Sequence, residues 1–237
     1  SKVSSLQPSL YRSFGTTFLE NSAFKSLSSL RSLKPMSDGY TYLDQSSAYI
    51  DPETGILRNL LGIVRAEDLQ FFESVTVSKR LRELRHHPLH INSTQGLFDI
   101  HFHLFQDVYA WAGQPRTVEI KKDKRQFIPT SAFATAIQYI DSLVAQFMKL
   151  DSSDQHTIAH QLAVLLDHVN YFHPFREGNG RAQREFIREL ALQKGYDVNL
   201  SPADNEGVYR DYMRGTIESD VQCLTLLIER LMNNQAS

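Results

Sequence analysis

Cysteine is nearly missing from this chain. Cys223 stands alone among 237 residues, so no internal disulfide framework can form, and the cytosol is favoured over an oxidising compartment. A surplus of either charge is missing as well. The 25 Lys and Arg face 27 Asp and Glu, a net charge of −2, and so weak an overall field attracts neither nucleic acid nor an anionic membrane. No apolar run approaches the roughly 18 residues of a membrane span. Internal repeats are absent, which excludes solenoids and propellers. The first residue is Ser1 rather than Met, suggesting a fragment or processed chain with a targeting segment upstream left open. What remains, 41% hydrophobic and 22% charged, is ordinary for a soluble globular protein, either one large domain or a domain with an appendage.

Residues 1–38 carry Leu10, Phe14, Phe18 and Leu19, then Phe24, Leu27 and Leu30, at near-helical spacing. They read as an N-terminal helical arm, either flexible or docking, ahead of a main domain over residues 39–237. Ser37 to Asn59 reads as an extended loop in which Asp51-Pro52-Glu53-Thr54-Gly55 is a turn, Pro52 fixing φ and Gly55 allowing φ above zero. Apolar periodicity then predicts helices over Ala66–Arg85, Thr94–Trp111, Ser131–Leu150 with Ser131 as N-cap, Ser153–Phe172, and Arg181–Lys194 with a Gly195 C-cap. Two more are expected around Val208–Arg214 and Val221–Asn233. Between them, Arg116-Thr117-Val118-Glu119-Ile120 alternates, and Gln126-Phe127-Ile128-Pro129 follows a charged turn from Lys121 to Arg125, the pattern of a β-hairpin. The fold class is therefore mainly α, a helical core with one small hairpin.

One stretch carries chemistry: His173-Pro174-Phe175-Arg176-Glu177-Gly178-Asn179-Gly180-Arg181-Ala182-Gln183-Arg184. Gly178 and Gly180 bracket Asn179 just ahead of a helix, where backbone N–H groups and the helix dipole favour an anion. Arg181 and Arg184, three apart, share a helix face and suit neighbouring anionic groups. Glu177 supplies a hard oxygen for Mg²⁺, and His173 can take a proton near neutral pH. Together these residues read as a site for a Mg²⁺-bound polyphosphate with a base beside it.

Other clusters compete less well. His156 and His160 stand at i, i+4, but Thr157 occupies the place where a zinc protease needs Glu, so a polar flank on a buried helix is the better reading. His101 and His103, two apart on a helix, face different ways and do not suit a shared metal. Asn92-Ser93-Thr94 fits a glycosylation acceptor but is explained more simply as a helix cap. Tyr40, Tyr42 and Tyr49 suggest either an adenine pocket or loop packing.

The stretch from His173 to Arg184 resembles the Fic motif, HPF-x-[D/E]-G-N-G-R-x-x-R, at every specified position. The resemblance extends to Asp51–Gly55 with Asn59–Ile63, and to the segment Phe105–Arg116, covering roughly residues 50–200. It implies the Fic fold, a helical core whose β-hairpin lies as a flap over the active-site loop. It also implies transfer of AMP from ATP, with Mg²⁺, to a Ser, Thr or Tyr hydroxyl of a protein, releasing pyrophosphate. On that footing His173 is the base and Glu177 the Mg²⁺ ligand. Gly178, Asn179 and Gly180 form the anion hole with Asn179 at the α-phosphate, while Arg181 and Arg184 meet the β- and γ-phosphates and Phe175 anchors the loop. The hairpin, through Lys122, Lys124, Gln126, Phe127 and Ile128, docks the target by strand addition. Thr16-Thr17-Phe18-Leu19-Glu20-Asn21 is similar to the family's inhibitory [S/T]-x-x-x-E-[G/N] helix, which sets Glu20 against Arg184; a separate small antitoxin is the rival restraint. Transfer of another phosphate-containing group, or a non-catalytic protein-binding domain, are the alternatives. The bearer is expected in the bacterial cytoplasm as a toxin, or delivered into a host cell as an effector; homo-oligomerisation is left open.

Overall fold

The structure, a computed structural model, describes residues 40–42, 48–122, 125–201 and 205–233. The chain divides into two units, Ser1–Tyr40 and Thr41–Ser237. The arm with Thr16 and Glu20 lies outside the described residues, as do Lys124 and the side chain of Lys122.

Seven α-helices occupy the described part of the second unit: α1 (Ala66–His86), α2 (Gln95–Phe105), α3 (Phe133–Met148), α4 (Gln155–Phe172), α5 (Asn179–Leu192), α6 (Glu206–Glu218) and α7 (Val221–Asn233). Helix α4 is the centre. Asp154 caps it by accepting the Thr157 N–H at 3.0 Å. Ile158, Ala159, Leu162, Ala163, Leu165, Leu166, Val169 and Phe172 spread over a wide arc of its surface and are all buried. So broad an apolar face needs partners on several sides, and α3, α5, α6 and α7 all pack against it. The chain leaves α4 at His173, whose backbone is left-handed (φ 46°, ψ 58°).

Strands β1 (Tyr40–Tyr42), β2 (Ile120–Lys122) and β3 (Arg125–Gln126) form a three-stranded sheet in that order. β2 and β3 are antiparallel, with Lys121 opposite Gln126 and Lys122 opposite Arg125. The strands are shorter than the alternation of residues 116–120 suggests, because Arg116 to Val118 lie outside the ladder, with the Arg116 N–H donating to the Pro174 carbonyl and the Arg116 and Val118 side chains buried.

Other local expectations change too. The helix expected to run to Trp111 stops at Phe105. Residues 106–113 are turns that let Tyr109 stack on Trp111, centroids 4.3 Å apart, which residues two apart on a helix cannot do. Helix α3 starts after a 3₁₀ turn, Thr130–Ala132, with Ala132 at the N-cap and no side-chain cap, so Ser131 does not serve. At the start of α2, Thr94 offers no cap bond and instead fixes α3, its N–H and hydroxyl both donating to Asp141 at 2.6 Å. Gly195 is left-handed (φ 90°) where the Tyr196 N–H reaches the Ala191 carbonyl and the Gly195 N–H that of Leu192, closing α5 with a Schellman motif.

Candidate active site

The site is a loop, residues 173–178, held between the end of α4 and the start of α5. Its anchor is Phe175, fully buried. That ring stacks on the His101 imidazole, centroids 3.7 Å apart, and meets Phe98 edge-on at 5.3 Å. Asn179 closes the loop on itself: its Oδ1 accepts the Phe175 N–H at 2.9 Å and its Nδ2 donates to the Phe175 carbonyl at 2.7 Å. With both ends of the amide occupied, Asn179 braces the loop, and what it offers to an anion is its backbone N–H in the first turn of α5. There it joins Gly180 at the helix N-terminus, where N–H groups lack intrahelical acceptors and the dipole attracts an anion. Gly178 makes the approach possible. Its φ of 83° suits glycine, and a Cβ there would run into the Phe105 ring.

His173 is buried. Its Nδ1 lies 3.3 Å from the Asn170 carbonyl, so the neutral ring carries its proton there and its lone pair on Nε2. Phe127 lies flat on the ring, centroids 3.8 Å apart and planes 17° from parallel. Phe127, one of the residues expected in the target-docking hairpin, is thus itself buried, with its ring against the imidazole. Ile128 is held likewise, its N–H donating to the Tyr171 carbonyl at 3.2 Å, while Gln126 is exposed.

The two arginines are held differently. Arg181 donates to Glu73 of α1 at 2.5 Å and to Glu177 at 3.3 Å, and its guanidinium covers the Phe105 ring at 4.7 Å. Burial lowers its pKa, but Glu73 and Glu177 outweigh that and hold it above the usual arginine range. Tyr109 donates to the other oxygen of Glu73, and its hydroxyl is pushed up by burial and by that carboxylate. Arg184 instead lies over the rings of Tyr209 and Tyr212, at 5.6 and 5.4 Å. Glu177 Oε1 also accepts the Gly178 N–H at 2.9 Å.

Three side chains that hold the loop and its arginine were given no such role by the sequence pattern. Glu73 looks like one acid among many on α1. His101 accepts the Gly113 N–H at Nδ1 (2.8 Å), so its Nε2–H donates to the Glu177 carbonyl (3.0 Å); burial lowers its pKa to about 3 and keeps it neutral. Arg116, fully buried as a side chain, donates from Nε to the His173 carbonyl at 2.9 Å. By contrast Tyr49 packs, edge-on to Trp111 at 5.6 Å with its hydroxyl taking the Thr117 N–H. His156 pairs with Glu229 at 2.7 Å and His160 lies near Thr225, so both bind α4 to α7.

The model of the Fic/DOC family matches residues 91–191, which run from the residue that Gly96 packs against, through the whole loop, to the end of α5. A probable protein adenylyltransferase of Sinorhizobium fredii, y4lH, is 31% identical over 183 residues, which cover 76% of this chain and 93% of that protein. The chain belongs to the Fic/DOC family. Among other Fic relatives, protein adenylyltransferase VbhT of Bartonella schoenbuchensis is 35% identical over 184 residues; these are 75% of this chain but only 37% of VbhT, so the chain spans about a third of that relative's length. In fold it is similar to the Bartonella tribocorum effector BepC solved with bound AMPPNP (TM-score 0.68, 22% identity, covering 78% of this chain and 96% of that one). It is equally similar to a Bartonella quintana Fic domain solved with bound ADP (TM-score 0.69, 22% identity, covering 79% and 95%). Among the described residues no helix is long and apolar enough to cross a membrane.

Proposed function

We propose that this Fic domain transfers AMP from ATP to a hydroxyl side chain of a protein, releasing pyrophosphate. The observation that carries the reading is the joining of a base and an anion hole in one braced loop: His173 at the end of α4, the N–H groups of Asn179 and Gly180 at the start of α5, and Phe175 buried between them. In this arrangement His173 Nε2 takes the proton of the target hydroxyl as its oxygen attacks the α-phosphorus and the bond to the pyrophosphate oxygen breaks. The helix N-terminus and Arg181 stabilise charge on the phosphates, with Arg184 at the γ-phosphate. Such displacement asks for positioning and charge neutralisation more than covalent help.

Glu177 fits as the protein ligand of Mg²⁺, since one carboxylate beside phosphate oxygens is how that ion is commonly held, and its side chain is one-third exposed. Bound there, Mg²⁺ would neutralise phosphate charge. Of the hairpin, β2 already has a neighbour in β1, so the outer edge of β3, Arg125–Gln126, is the edge for strand addition by a target. The flap role of Lys122, Lys124, Gln126, Phe127 and Ile128 then divides, Phe127 and Ile128 securing the hairpin and the exposed strand meeting the target. Glu20, with Thr16, is read as the restraint on Arg184. The place of action is the bacterial cytoplasm, or a host cell if the protein is delivered. Intact-mass spectrometry of candidate targets after incubation with Mg²⁺ and ATP tests the reading: it expects a gain of one AMP, and a gain of one phosphate would overturn it.

A further inference from the structure

Arg116 makes an unusual set of bonds for a buried guanidinium. Its Nε donates to the His173 carbonyl (2.9 Å), one Nη to the Val118 carbonyl (2.5 Å) and the other to the Ile128 carbonyl (2.6 Å). Its backbone N–H donates to the Pro174 carbonyl at 2.7 Å. Val118 precedes β2 and Ile128 follows β3, so the guanidinium lies across the base of the hairpin and touches both legs. Glu119 completes the bridge: it lies 3.5 Å from the same guanidinium and accepts both the N–H and the hydroxyl of Thr130 beyond the second leg, at 2.9 and 2.7 Å. A buried charge satisfied by main-chain carbonyls on three separate segments fixes those segments relative to one another.

The third segment is the catalytic one. His173 is a non-glycine residue in the left-handed region, a conformation that persists only where neighbours impose it. Among the bonds that hold this backbone are the His173 N–H to the Val169 carbonyl at 3.1 Å and the Arg116 Nε to the His173 carbonyl. The hairpin in turn lays Phe127 on the imidazole. We propose that Arg116 is the positioning residue that sets the base and the target-docking hairpin in one frame, so that the hydroxyl presented by the hairpin meets His173 in line. The Arg116 guanidinium bonds to the His173 backbone, the hairpin legs and Glu119, and it acts through them. The inference rests on the adenylyl-transfer reading above.

The nucleotide site gives the discriminating measurement. Its loop is closed by Asn179 and His101 and its cation is held by Glu73, none of which uses Arg116. Arg116→Lys and Arg116→Ala, in the full chain, are compared with the parent for ATP affinity and for transfer of label from [α-³²P]ATP to protein. The expected result is ATP affinity within about threefold of the parent and turnover lowered by roughly 30-fold or more in Arg116→Ala. Lysine restores little of the loss, since one ammonium cannot span three divergent carbonyls, whereas added ethylguanidinium raises the rate of the alanine variant. Turnover at the parent rate in either variant overturns the proposal. So does ATP affinity lost in step with turnover, without rescue by ethylguanidinium, which marks a residue that merely holds the fold. His173→Ala is run alongside. If it transfers label like the parent, the transferase reading itself falls; if it is inactive while Arg116→Ala is fully active, only the present inference falls.

Discussion

Phe127 lies face to face with the His173 imidazole, ring centroids 3.8 Å apart, so the residue after the second hairpin strand is buried against the proposed base. Aromatic stacking of this kind contributes about 0.5–1.5 kcal/mol beyond burial. Phe127→Ala therefore lowers the transfer rate at saturating ATP by several-fold to roughly tenfold and leaves ATP affinity nearly unchanged. Initial rates and a nucleotide titration check both halves. An equal fall in ATP affinity would place the ring's work at the nucleotide.

Gly178 and Gly180 are alike in the motif and unlike in the structure. Alanine at Gly178 meets a left-handed backbone and the Phe105 ring, whereas a Cβ at Gly180 meets only the movable end of Arg184, at 3.3 Å. Gly178→Ala is expected to cost about 2–4 kcal/mol of stability, from backbone strain together with overpacking. Gly180→Ala leaves denaturation almost unchanged and weakens ATP binding by crowding the anion hole. Chemical denaturation of the two variants, side by side, tests the contrast.

Two buried groups make the pH dependence of stability separable. His101 is held neutral by burial, its pKa lowered to about 3. Between its ordinary value near 6.5 and 3 the unfolded chain binds a proton that the folded one refuses, so this group's stability is lost as pH falls. Glu189 behaves oppositely. Burial and the neighbouring Glu185 raise its pKa to about 7, against the Arg188 guanidinium and the Leu89 N–H that favour its charge. Its stability is present below pH 4.5 and is lost as pH rises through 7. From pH 4.5 to 6.5 the two slopes, each at most about 1.4 kcal/mol per pH unit, oppose one another. His101→Gln should thus gain stability relative to the parent as pH falls from 6.5 to 4.5, and Glu189→Gln should lose it. Urea denaturation at three pH values reads both.

The fold was legible where one face is apolar at helical spacing. Helix α4 is the clearest case, because a core helix needs buried residues on most sides and the sequence supplies them. The loop was legible because Gly178 and Asn179 leave few alternatives for the backbone. Arg116, His101 and Glu73 were less so. Each acts through a partner 57, 76 or 108 residues away, His173, the Glu177 carbonyl and Arg181, and no spacing along the chain records such a meeting. Two of those bonds go to carbonyls, which every residue has. The early end of α2 was hidden for a related reason: the stack of Tyr109 on Trp111 overrides a periodicity that continues to read as helix.

Arg184 gives the restraint its test. The Glu20 reading expects Glu20→Gly to raise self-modification with Mg²⁺ and ATP, because removing the carboxylate leaves the second motif arginine to the γ-phosphate. Label incorporated from [α-³²P]ATP into the chain itself measures it. An unchanged level would remove Glu20 as the restraint and leave a separate antitoxin as the candidate.

The proposed role of His173 as base in transfer of the AMP moiety has a direct test. The direct measurement pairs the parent and His173→Ala, each incubated with Mg²⁺ and either [α-³²P]ATP or [γ-³²P]ATP in a bacterial lysate. Label should pass to protein from the α position alone. It should fall by about 10²–10⁴-fold in His173→Ala, whose ATP affinity should match the parent's. Label from the γ position dependent on the added protein, or undiminished α-labelling by His173→Ala, would contradict it.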